Sequence, residues 1–430
     1  MKLSIRDFSC IIEADIEVKN FNVIIGPQAS GKSLISKLIY FFNTINIDQI
    51  EIIKSTKNIE SFSDELKEKF IKWFPITAWG DKKFIIKFEL ENYKISIFRV
   101  IYDGVIGNSL KIVFSKPIKQ LHIAGVSLYK KILESYEEDF YEEDFYEKIK
   151  IERYVDKELT KIIRETTNGE HIDVLTYIPA GRSFFTNLGK ALLAFEQTNL
   201  LDPISIEFGK LYTNFIQNFN NIQKRLSTGN AQFISEIIGG TLISEKGNFY
   251  ILYEDGRKIP FSNLSSGQQE LMPLLLVFGS IARANNTIPS RLIEKKNYLT
   301  FIEEPEAHLF PNAQSKIIEG LAIYVNGIQL NRKLIVTTHS PYVLSKINNL
   351  LKAGSLSRSA KMREKRDSVY SLIPRNKHIN PKQFNAYALV DGKLISIVND
   401  EGLVDGEYLD EISNEISNEF SSLINLEFDL

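Results

Sequence analysis

Hydrophobic positions alternate with polar ones over residues 2–25. Leu3, Ile5 and Phe8 are followed by Ile12, Ala14, Ile16 and Val18, and then by the stretch Phe21 to Ile25. Alternation turns one side of each strand toward a core, so this stretch predicts a β layer. The spacing becomes helical after Lys32, where Leu34, Ile35, Leu38 and Ile39 predict a helix over about Lys32 to Thr44. Residues 45–80 are mixed and read as helical, with Pro75 inside the segment Trp73 to Trp79. Alternation returns between Lys83 and Phe114, in Phe84, Ile86 and Phe88, in Tyr93, Ile95 and Ile97, and in Leu110, Ile112 and Phe114. Turn signals at Glu91-Asn92 and Asp103-Gly104 make this an antiparallel sheet.

Residues 120–230 read as an inserted, mostly helical part. Inside it Tyr136 to Phe140 spells YEEDF, and Tyr141 to Phe145 repeats it, either as a docking strip or as a solvated segment that grew by duplication. A hairpin is predicted from Leu242 to Ser244 and Phe249 to Tyr253 around Lys246-Gly247-Asn248, and a further turn at Glu254-Asp255-Gly256 leads to Ile259 and Phe261. Buried strands follow at Tyr298 to Ile302 and Lys333 to Val336. Beyond them come a basic loop (Arg358, Lys361, Arg363, Lys365, Arg366), strands near Val369 to Ile373 and Tyr387 to Val398, and a helix near Asp405 to Ile424. The resulting division is 1–119, 120–230, 231–345 and 346–430.

Composition narrows the class. With 430 residues, 43% hydrophobic and 25% charged, the chain reads as a globular protein of roughly two or three domains. The formal net charge of -2 supplies no global field for nucleic acid, so any such site must be local. The single cysteine, Cys10, excludes an internal disulfide framework and fits a reducing cytosol, and it reads as a small buried hydrophobe. Arg6 and Asp7 interrupt any leader-like apolar core, and the run near Leu274 to Ala282 is too short to cross a bilayer. A cytoplasmic location, without membrane contact, is expected.

The candidate chemistry sits at the junctions of these elements. After the strand Val23 to Ile25, the loop Gly26-Pro27-Gln28-Ala29-Ser30-Gly31 runs directly into Lys32, Ser33 and a helix. Glycine allows close backbone approach to a triphosphate, and the helix start adds its positive dipole end. Lys32 would reach the β and γ phosphates and Ser33 would ligate Mg²⁺. Leu264 to Glu270 reads LSSGQQE and opens an apolar helix, either as an anion site or as a plain capped helix. The strand Tyr298 to Ile302 ends in Glu303 and Glu304; the first can hold Mg²⁺ through water and the second can polarise an attacking water, against the alternative of a solvated acidic turn. His339, in TTHSP after the later strand, stands where a γ-phosphate sensor would. Arg182, in YIPAGRS, reads equally as a phosphate contact or as a structural arginine paired with a carboxylate.

The order GPQASGKS, LSSGQQE, FIEEPEAHLFP, TTHSP resembles the ABC-type ATPase head of the RecF, SMC and OLD-like group, and its EEPEAH form is most similar to OLD-like ATPases of bacterial antiphage defence systems such as Septu or PARIS. The resemblance implies an α/β P-loop NTPase with an antiparallel β subdomain and an inserted helical subdomain, using ATP and Mg²⁺. It implies nucleotide contacts at Gly26, Pro27, Gln28, Ser30, Gly31, Lys32 and Ser33, and at the signature residues Ser265, Ser266, Gly267 and Gln268. It further implies Mg²⁺ at Ser33 and Glu303, a catalytic Glu304 and a switch His339. In that group the signature of one subunit caps ATP held by another, which implies a homodimer or larger homo-oligomer. Gln120 is a weak candidate for the family's Q-loop glutamine. Full OLD proteins add a TOPRIM nuclease whose metal site needs an Asp-x-Asp, and residues 346–430 contain none. An ATPase subunit serving a separate effector nuclease is therefore expected. A RecF-like factor gripping DNA or RNA through the basic loop is the rival, and a transporter ATPase is weakest.

Overall fold

A computed structural model of the chain describes residues 1–102, 105–137, 145–188, 201–217, 228–245, 248–283, 296–327, 331–405, 418–419 and 421. Most of the YEEDF repeat, the turns at Asp103-Gly104 and Lys246-Gly247, and nearly all of the expected helix after Asp405 lie outside these residues. The strands are β1 (Lys2–Phe8), β2 (Ile11–Glu17), β3 (Phe21–Ile25), β4 (Ile85–Leu90), β5 (Tyr93–Tyr102), β6 (Val105–Phe114), β7 (Val174–Ile178), β8 (Thr241–Glu245), β9 (Asn248–Leu252), β10 (Lys258–Pro260), β11 (Asn297–Glu303), β12 (Asn331–Thr338), β13 (Phe384–Val390) and β14 (Lys393–Ser396). Two compact units cut across chain order, one comprising residues 1–18, 29–175 and 389–395, the other residues 19–28, 176–388 and 396–430.

The first unit orders its strands β6-β5-β4-β1-β2-β14. Every pair from β6 to β2 is antiparallel, with Leu3 opposite Ile16 and Ile5 opposite Ala14, while β14 joins β2 in parallel. Leu3, Ile5, Ala14 and Ile16 are all buried and alternate with more exposed residues, as a sheet with one covered face requires. Helix α1 spans Lys32–Lys54, well past the expected end at Thr44, because no Gly or Pro interrupts it and Ile45, Gln49, Ile52 and Ile53 continue the buried stripe. Helices α2 (Ile59–Trp73), α3 (Lys116–Glu137) and α4 (Phe145–Thr166) follow. Asn58 caps α2 by accepting from Ser61 N. Ile53 of α1 packs with Leu121 of α3 and Leu159 and Ile163 of α4.

The second unit orders its strands β13-β3-β12-β11-β7, and β13 with β3, β3 with β12, and β12 with β11 run parallel. Every residue of β3 and β11 is buried, which explains why these strands appear in the sequence as continuous rather than alternating apolar runs. Strand β7 lies within the stretch expected to be mostly helical; its run Val174 to Ile178 is too short for a helix. A separate antiparallel sheet β10-β9-β8 contains the predicted hairpin, with Leu242 opposite Ile251. The strand expected near Val369 to Ile373 is instead a helix, Arg366–Leu372, which buries only Val369. No helix among the described residues is long and apolar enough to cross a membrane.

Candidate functional site

The phosphate loop begins in the second unit, where β3 delivers Gly26, Pro27 and Gln28, and the chain enters the first unit at Ala29. Pro27, Gln28 and Ala29 are exposed. In the first unit Gly31 holds φ at +111°, and a Cβ there would lie 2.7 Å from Ile11 Cδ1 and 2.8 Å from Cys10 Sγ. Glycine is therefore demanded twice, by backbone angle and by space. Lys32 and Ser33 open α1; Lys32 is buried and Ser33 is exposed on a first turn that carries no acidic residue. Ser30 Oγ is buried without a hydrogen-bond partner. Cys10 is exposed rather than buried, because it sits in the tight β1–β2 turn, where its thiol donates to the Ser30 carbonyl at 3.5 Å.

In the second unit, the strand register decides what meets at the sheet's carboxyl end. Glu303 is level with Thr337, Thr337 with Ile24, and Thr338 with Ile25, so Glu303, His339 and Gly26 leave three adjacent parallel strands together. That end is where open α/β sheets place their ligands. Glu304 takes φ +43°, a left-handed conformation that a non-glycine residue adopts only when its surroundings hold it there. Its N–H donates to the Thr337 carbonyl at 2.9 Å. His339 Nδ1 lies 3.6 Å from Glu304 Oε1 and 4.0 Å from Glu306 Oε1. Glu304 and His339 are accessible, with side chains 31% and 54% exposed.

Glu303 and Glu306 are buried. Glu303 Oε1 accepts from Tyr177 Oη at 2.7 Å and Oε2 from Ala180 N at 3.1 Å, so each oxygen keeps further acceptor capacity. Glu306 Oε1 accepts from Thr338 Oγ1 at 2.6 Å and His339 N at 3.0 Å, while Oε2 is buried without a partner. Glu306 anchors the backbone of the candidate switch residue, a role the sequence reading missed; its signal was the third glutamate of EEPEAH. Tyr177 and Ala180 carried no comparable signal.

Arg182 resolves to the structural alternative. Its side chain is 1% exposed, and its guanidinium donates to the carbonyls of Pro179, Glu270, Glu303 and Glu304. Burial lowers its pKa, opposed by the charges of Glu270, Glu306, Glu303 and Glu304. Glu270 Oε2 accepts from Arg182 N, and Oε1 accepts from Ser183 N and Oγ.

The signature segment starts the helix Ser266–Arg283. Ser265 and Gln268 form a capping box: Ser265 Oγ accepts from Gln268 N, and Gln268 Oε1 faces Ser265 N. The Gln268 amide also donates to the Ile238 carbonyl and to Tyr253 Oη, so this side chain braces the loop. Ser265 and Ser266 are exposed. A Cβ on Gly267 would lie 2.6 Å from the His308 carbonyl, so only glycine lets this turn approach the EEPEAH loop. Gln120 of the first unit is an exposed residue on α3.

The AAA ATPase domain family matches residues 1–344. The chain belongs to this family. Solved structures similar to this ATPase include the SMC head domain from Thermotoga maritima, at 14% identity and TM-score 0.34, covering 92% of this chain and 97% of that one. The Smc head domain with an extended coiled coil bound to the C-terminal domain of ScpA, derived from Pyrococcus furiosus, is 12% identical at TM-score 0.39, covering 97% and 98%. An SmcHead bound to the C-winged helix domain of ScpA is 14% identical at TM-score 0.40, covering 92% and 96%. No curated protein matches the chain.

The ATPase family implies ATP and usually Mg²⁺, and the residues present suit both. The loop offers the exposed residues Pro27, Gln28 and Ala29 and a helix start without a countering acidic residue to an anion. Ser33 of the first unit and Glu303 of the second are each, taken singly, a hard oxygen donor of the kind Mg²⁺ accepts.

Proposed function

We propose that this ATPase is the regulatory subunit of a bacterial antiphage system, closing as a homodimer or larger homo-oligomer around ATP to control a separate effector nuclease. Gly26, Pro27, Gln28, Ser30, Gly31 and Lys32 hold the phosphates, Ser33 and Glu303 hold Mg²⁺, and Ser265, Ser266 and Gly267 of a second copy cap the nucleotide. Glu304 orients the attacking water and His339 senses the γ-phosphate. The observation that carries this reading is the accessible pair of Glu304, held at φ +43°, and His339, 3.6 Å away at the end of a neighbouring strand. A partly exposed carboxylate fixed in an unfavourable conformation beside an imidazole suits a water-orienting role. The EEPEAH form supports a separate effector.

Purified protein should hydrolyse ATP with Mg²⁺, and Glu304→Gln should accumulate a nucleotide-bound dimer, read by light scattering. A Glu304→Gln protein that stays monomeric in saturating ATP would defeat the dimer reading. A nuclease gene adjoining this one would support the defence role.

A RecF-like nucleic-acid-binding role is favoured by one observation: Lys361, Arg363 and Lys365 are exposed together on the short helix Ala360–Lys365, although the whole chain is net negative. It predicts ATP-dependent, salt-sensitive DNA binding that is lost when Arg363, Lys365 and Arg366 are neutralised.

A further inference from the structure

We propose that Arg182 and Glu270 form a positioning bridge through which the signature helix sets the backbone conformation of Glu304. Arg182 is thus a positioning residue that acts through Glu304. The inference rests on the reading of Glu304 as the residue that orients the attacking water.

The geometry is specific. Arg182 Nη1 donates to the Glu303 carbonyl at 2.6 Å and Nη2 to the Glu304 carbonyl at 3.1 Å. These carbonyls belong to the peptide groups immediately before and after Glu304 Cα, so one rigid, planar fork fixes both planes whose rotation defines that residue's φ and ψ. Glu304 is the strained residue of the turn, at φ +43°, and its N–H is held from the other side by Thr337. Without the fork, the Glu304 N–H bond to Thr337 and the Ala307 N–H bond to the Glu304 carbonyl at 3.0 Å remain, but two of these four hydrogen bonds are gone and the left-handed conformation is restrained less tightly.

The other end of the bridge is the first stretch of the signature helix. Glu270 lies five residues beyond Ser265, and its carboxylate accepts from Arg182 N at 2.9 Å, Ser183 N at 3.2 Å and Ser183 Oγ at 2.6 Å. Arg182 Nε in turn donates to the Glu270 carbonyl at 3.1 Å. Helix start and arginine are therefore joined through both backbone and side chain. Arg182 is 1% exposed and Glu270 4%, so water cannot replace these bonds when they stretch. A displacement of the signature segment must pass into the two peptide planes of Glu304. Contact between the signature serines and a triphosphate then alters the orientation of the water-activating carboxylate without Ser265 or Ser266 touching it.

The test compares Arg182→Lys, which keeps the charge but loses the planar fork, with Glu270→Gln, which keeps the shape and an acceptor for Ser183 but loses the charge and the acceptor for Arg182 N. Each should lower kcat for ATP by about 10- to 100-fold while KM and nucleotide affinity stay within about threefold, because a small misplacement of a catalytic group costs rate rather than binding. The double variant should be no slower than the worse single variant, since both break one unit. Independently of activity, hydrogen exchange without nucleotide should quicken at the Glu304 amide in both variants, with the β1–β2 amides unchanged. Unchanged kcat and exchange in folded variants, or effects that multiply in the double variant, would overturn the bridge. Exchange that rises equally throughout the protein would overturn it too, as simple destabilisation. A wild-type protein that binds ATP without hydrolysing it would refute the role of Glu304, and the exchange comparison would still decide the bridge.

Discussion

In the first unit the ring of Phe70 lies 4.9 to 6.3 Å from those of Phe8, Phe41, Phe74, Trp79 and Phe84. In the second unit Arg182, Glu270, Glu303 and Glu306 are buried nearly as deeply, and they replace rings with charges. Rings contribute through apolar area and dispersion, which need only shape. Buried charges lose hydration and recover it only through aimed partners, so a cluster of them tends to fix geometry more than it adds stability. The first unit's core is a packing solution, while the second unit's carboxyl-end cluster is an orienting device.

Substitutions in the two places should consequently fail differently. Phe70→Ala should cost the most stability, about 3 to 5 kcal/mol, measured as a lower denaturation midpoint. Glu304→Gln should do the reverse, lowering ATP turnover about 10²- to 10³-fold with an unchanged midpoint; a matching loss of stability would erase the contrast. Gly31→Ala stands between them, since its strain belongs to the fold and its position to the phosphate loop: about 1 to 3 kcal/mol of stability should go together with ATP affinity.

The smallest effect is set by pH. Burial tends to raise the Glu319 carboxyl, but hydrogen bonds from Lys346 and Lys377 outweigh it and hold the group below its ordinary 4.5. Because the folded value is depressed, its contribution is fully present above about pH 4.5 and disappears as pH falls through the folded value. Glu319→Gln should cost about 0.5 to 1 kcal/mol near neutrality, as partly exposed pairs do, and flatten the acid limb of the stability curve.

The strands β1, β2, β4 and β5 were legible because one covered face writes alternation into the sequence, and β3, β11 and β12 because burial on both faces writes an apolar run. Helix α1 was recognised but ended too early, since tertiary contacts at Ile52 and Ile53 extend it beyond the motif that announced it. The helix at Arg366–Leu372 was mistaken for a strand because a seven-residue segment burying one side chain carries almost no periodic signal.

The sequence alone picked out the phosphate loop, the paired glutamates and the candidate switch histidine, because each needs particular residue types at fixed short spacing after a strand or before a helix. Only the tertiary structure decided that Arg182 serves the Glu303–Glu304 turn, that Glu306 anchors His339 and that Cys10 is exposed. Those facts depend on which distant strand ends come to the same level of the sheet and on where a buried charge finds acceptors. Neither is encoded in local spacing.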